Sequence, residues 1–184
     1  MKLVKFILLI NSILILGCNS TKKNSNISSE EKNKTLIFPN DYTGIYKGTL
    51  FIKTLKGKQE IPMEYHLKKT DSSHKYEYSL IYNNQPRNYT LVIKDQKNGL
   101  FNIDENNGII LPSYYHKNTL HSFFEVQGNL LNTRMEFLDD KVAFEIIFAP
   151  TLQKIKTGGI ADSIPKVYGY PITVFQTATL IKQL

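Results

Sequence analysis

The side chains able to do chemistry are spread thinly along this 184-residue chain. Glu64, Glu125, Glu136 and Glu145 lie in segments where two could approach within the roughly 5–10 Å that paired-carboxylate glycoside hydrolysis requires. Glutamates on a solvated strand face are the commoner product of such a pattern, so a carboxylate-based hydrolase is the remote reading. His66, His74, His116 and His121 have neither H-x-H nor H-x3-H spacing and no cysteine beside them, so no metal site is expected. The chain has no G-x-S-x-G nucleophile elbow and no glycine-rich phosphate loop, and no cofactor is expected. Aromatic residues are the richest resource: eleven Tyr and ten Phe, with no Trp. Such rings suit a flat or apolar ligand, since each Tyr offers ring surface together with a hydroxyl.

These side chains need a scaffold. From Tyr42 onward apolar residues recur at every second position, the pattern of half-buried strands. The alternation predicts strands over 42–54, 59–69, 75–82, 87–97, 100–105, 109–111, 119–127, 130–138, 141–148 and 172–182. Asn107-Gly108, Gly128-Asn129 and Asp139-Asp140 read as hairpin connections. Pairing outward from the last two sets Phe124 opposite Thr133, Met135 opposite Phe144 and Phe137 opposite Val142. Phe124, Val126, Leu131, Met135 and Phe144 then share an apolar face, and Glu125, Asn132, Arg134, Glu136 and Glu145 share a polar one. Arg134 faces Glu145 with Glu125 near the diagonal. This polar cluster is either a headgroup or partner site or an ordinary exposed ion pair. Tyr114-Tyr115 are expected in a rim loop. Residues 150–171, with Gly158-Gly159 and Pro165, form the one long irregular stretch, expected to cover something.

The N-terminus has a different character. Lys2 and Lys5 precede an apolar run over 6–16, too short for the roughly 20 residues of a spanning helix but suited to a signal peptide. Ile15-Leu16-Gly17-Cys18 follows and resembles the lipobox of bacterial lipoproteins. The resemblance implies that residues 1–17 are removed and that Cys18 carries a diacylglyceryl group anchoring the chain to a membrane. Cys18 is the only cysteine, so no internal disulfide is available. Residues 18–35 read as the lipidated Cys and a polar tether, reaching roughly 20–25 Å as a random coil. The absence of acidic residues just after Cys18 favours a periplasm-facing protein of the cell envelope. Net charge is +7. The signal lysines carry two of these charges, and the tether, with four lysines against two glutamates, carries two more. The +3 left for residues 35–184, with only Arg87 and Arg134 as arginines, excludes a nucleic-acid footprint.

The domain at 36–184 is therefore expected to be all-β, a single antiparallel meander of eight to ten strands. Short turns and one apolar face favour closure into a barrel, which removes exposed edges; a two-sheet sandwich is the alternative. Gly44, Tyr46 and Gly48 form a G-x-Y-x-G before the meander, and with a terminal closing strand the chain resembles the lipocalin-like barrels of the calycin group. Lipocalins carry Trp after that first glycine, a place Tyr46 fills here. A small barrel either packs solid or holds one small ligand. In the second case a small apolar or amphipathic ligand would face Met63, Tyr65, Tyr78, Phe124, Met135 and Phe144. In the first the protein would act as an interaction lipoprotein through its outer face.

Overall fold

Alternating apolar and polar residues joined by tight turns give a ten-strand antiparallel barrel. The computed structural model describes residues 36–184, so the expected signal peptide, Cys18 and the tether lie outside the described residues. The strands are β1 (Gly44–Thr54), β2 (Gly57–Lys69), β3 (Lys75–Tyr82), β4 (Gln85–Asp95), β5 (Leu100–Asp104), β6 (Ile110–His116), β7 (Thr119–Val126), β8 (Asn129–Phe137), β9 (Lys141–Pro150), β10 (Ile155–Gly158), β11 (Lys166–Gly169) and β12 (Val174–Lys182). Each of β1 to β8 pairs with the next, β9 pairs with β12, and β12 returns to β1. The terminal strand thus closes the sheet, and the sandwich alternative falls.

Turn chemistry sets the registers. Asn83-Asn84, Lys117-Asn118 and Gln127-Gly128 each place two successive residues at positive φ, the two-residue turn whose twist matches paired strands. Between β7 and β8 this corrects the expected turn. Gln127-Gly128 takes the bend instead of Gly128-Asn129, so Phe124 pairs with Leu131 and Val126 with Asn129. The slip is of two residues, which leaves every side chain on its expected face. Between β8 and β9 the expected pairs stand, Met135 with Phe144 and Phe137 with Val142. At the closing seam a Cβ on Gly48 would lie 2.3 Å from the Thr179 carbonyl oxygen, so only glycine lets β1 approach β12 there.

One end of the barrel is stoppered. The chain comes in through a 3-10 turn, Asn40–Tyr42, so Tyr42 lies in this turn and not in the first strand. Phe38, just before it, stacks on Tyr115 at 4.3 Å between ring centroids and packs on Phe101 and Phe137 at 5.2 and 4.8 Å. Gln96 donates a hydrogen bond from Nε2 to the Phe38 carbonyl at 3.0 Å. Tyr115 belongs to β6, not to a rim loop; Pro112 interrupts the apparent strand pattern, yet it sits in the ladder opposite Asn102. Tyr46, fully buried, donates from its hydroxyl to the Tyr42 carbonyl at 2.8 Å and ties β1 to the stopper.

The stretch 150–171 is not an irregular loop. A 3-10 turn, Thr151–Gln153, leads into the β10–β11 hairpin, which forms its own two-stranded sheet at the end opposite the stopper. Every residue from 152 to 170 is exposed, with Leu152 at 95 % and Ile160 at 88 %.

Candidate functional site

Inward-facing residues fill the stoppered half of the barrel but not the other half. Tyr46, Tyr65, Phe101, Phe137 and Leu67 are wholly buried around the stopper. Toward the far end a cavity of about 630 Å³ remains. That volume lies within the roughly 300–1,000 Å³ of small-molecule sites.

The wall is built from alternate residues of successive strands, as the period of two requires. Tyr78, Phe124, Met135 and Phe144 all line it, from β3, β7, β8 and β9. Met63 and Tyr65, expected beside them, are buried in the packed core and do not reach the cavity. Tyr78 donates from its hydroxyl to the Met135 sulfur at 2.7 Å, and its ring lies edge-on to Tyr65 at 5.1 Å. Burial raises the Tyr78 hydroxyl far above the usual phenol range, so it stays a neutral donor. On the facing wall Ser122 shares a buried hydrogen bond with Ser113, 2.7 Å between the two Oγ atoms.

The mouth is more polar than sequence reading expected. Arg87, Glu105, Gln127 and Gln176 line the cavity together with Tyr82 and Tyr89. The Arg87 guanidinium stands over the Tyr82 ring, 5.4 Å from its centroid. Burial raises the Tyr89 hydroxyl above its ordinary range; Arg87 beside it draws it back, while Glu105 pushes it up. Both charges therefore lie close to that hydroxyl. A sequence signal for them exists. Arg87 shares its strand parity with Tyr89, Leu91 and Ile93, and Glu105 shares its parity with Phe101 and Ile103. A charge on the apolar parity of a strand is what marks the mouth.

The expected outer cluster is looser than its register suggested. Arg134 does face Glu145 across β8 and β9. Its Nη2, however, donates to Glu136 on its own strand at 2.8 Å. Glu125 pairs with Leu130, four residues along β8 from Arg134, so the turn correction removes it from the diagonal. Glu64 is held on the outer surface by Lys47 at 2.9 Å and His66 at 2.8 Å, and hydrogen bonds from these two lower its carboxyl. None of Glu64, Glu125, Glu136 and Glu145 lines the cavity, whose wall carries one carboxylate, Glu105. Two-carboxylate hydrolysis has no pair to use there. No residue of 150–171 lines the cavity either, so the stretch expected to cover something does not contribute to its wall.

The barrel is consistent with the lipocalin-like architecture that the G-x-Y-x-G and meander suggested. Neither a protein-family model nor a curated protein matches the chain.

Proposed function

We propose that the protein is a lipid-anchored barrel of the bacterial cell envelope that binds one small apolar or amphipathic molecule in its lumen. The observation carrying this reading is the cavity itself: about 630 Å³, blocked at one end and lined by Tyr78, Phe124, Met135 and Phe144. A barrel acting only through its outer face has no use for an unfilled interior, because unfilled apolar volume costs stability. Support for the anchor comes from Ile15-Leu16-Gly17-Cys18, whose pattern suits lipidation of Cys18. On this reading the domain faces the periplasm from a membrane.

The test is native mass spectrometry of the barrel domain, residues 35–184, purified from its host. These residues form one unit with its own core. A bound small molecule is expected in the wild type. It should be lost in Thr133→Trp, which places an indole in the lumen from the cavity wall. Wild-type protein that is apo at full occupancy, and that fails to take up an apolar fluorophore, overturns the reading.

A further inference from the structure

The lumen wall carries two charged side chains, and they are of opposite sign. Arg87 comes from β4. Glu105 follows β5, on the same inward parity as Ile103, in the position facing Tyr89. Among the described residues neither makes an ion pair. Arg87 is held against the wall by the Tyr82 ring, and no carboxylate occupies its N–H groups. Below this level the wall turns apolar, with Phe124, Met135 and Phe144.

Each class of amphiphile meets this collar differently. An acidic headgroup gains Arg87 but meets Glu105, and a cationic one gains Glu105 but meets Arg87. A neutral headgroup would cover exposed Arg87 and half-buried Glu105 and take water from both without offering either an opposite charge. A headgroup carrying both an acidic group and an ammonium matches both residues at once, with charge-assisted hydrogen bonds to each.

We propose that the lumen takes a single-chain zwitterionic amphiphile, its acidic group on Arg87, its ammonium on Glu105 and its tail against Phe124, Met135 and Phe144. The inference rests on the lumen reading above and specifies its ligand class.

Four probes of one chain length separate the two ideas: a lysophosphoethanolamine, a fatty acid, an alkylamine and a fatty alcohol. Each is titrated below its micelle concentration against an apolar fluorophore in the barrel domain. The zwitterion is expected to bind roughly tenfold or more tighter than the alcohol, as expected for charge-assisted contacts. Arg87→Gln should move the preference toward the alkylamine, and Glu105→Gln toward the fatty acid. A general loss of fold would weaken all four probes together, so opposite shifts in the two variants report on the headgroup alone. Equal binding of all four probes, or unchanged ranking in both variants, overturns the headgroup assignment and leaves the lumen reading standing. Failure of every probe, the alcohol included, overturns both.

Discussion

Tyr65 carries a side-chain oxygen that is buried and, among the described residues, has no hydrogen-bond partner. Its ring packs on Tyr46, Tyr78 and Phe137, at 5.8, 5.1 and 6.1 Å between centroids. The ring therefore stabilises the core, while the hydroxyl opposes it by the cost of an unmade bond, about 1–3 kcal/mol. Tyr65→Phe keeps the ring and is expected to raise stability by about 1 kcal/mol, read as a higher urea midpoint at constant slope. Tyr46→Phe should do the reverse by a similar amount, since that hydroxyl bonds the Tyr42 carbonyl. A loss of stability in Tyr65→Phe would mean that the hydroxyl is satisfied by an internal water. At the open end the polar groups are partnered instead: Glu105 accepts from Asn107 Nδ2 at 3.3 Å, and Arg87 lies over the Tyr82 ring.

The stopper is the element that gives the barrel two unlike ends. Phe38 is buried between Tyr115, Phe101 and Phe137. Phe38→Ala is expected to cost about 3–5 kcal/mol, the range for emptying an aromatic core site, measured by denaturant unfolding. A loss under about 1 kcal/mol would show that the turn is not packed as described. The sequence announced the strands far better than this turn. Alternation is read within each strand, so Tyr76, Tyr78, Leu80 and Tyr82 could be assigned one face before any partner was known. A stopper has no period. Phe38 owes its place to contacts with β5, β6 and β8, all far along the chain. The β10–β11 hairpin was missed for a related reason. All eight of its strand residues are exposed, so burial imposes no alternation on them. The cavity residues divided likewise: Tyr78, Phe124, Met135 and Phe144 follow from parity alone. Distinguishing them from Met63 and Tyr65 requires knowing where along the barrel the packing stops.

At the scale of the molecule, closure replaces covalent support. β12 joins β1 and β9, so the barrel's sheet has no free edge, and the described residues contain no cysteine to brace it. Stability rests on a tyrosine-rich core, and this makes the fold sensitive to alkali. Burial raises the Tyr46 hydroxyl to about 12 and pushes those of Tyr65, Tyr78 and Tyr82 up as well. In the unfolded chain the same hydroxyls ionise near 10. Below that pH their contribution is complete. Above it the unfolded chain sheds protons that the folded chain retains, so stability falls as pH rises from about 10 toward about 12. Phenolate absorbance and far-ultraviolet circular dichroism followed together should show the late tyrosines ionising as the fold is lost. Eleven tyrosines all titrating near 10 with the fold intact would contradict the packing. The stopper has one more consequence, which is kinetic. A vessel with a single door has no through-traffic: whatever occupies the lumen leaves by the path it took in, and a new occupant must wait for the old one. For the amphiphile proposed above, the tail that enters first is the last part to leave. For such a ligand, exchange is governed by the collar of Arg87 and Glu105, and no change at the stoppered end would hasten it short of pulling the stopper out.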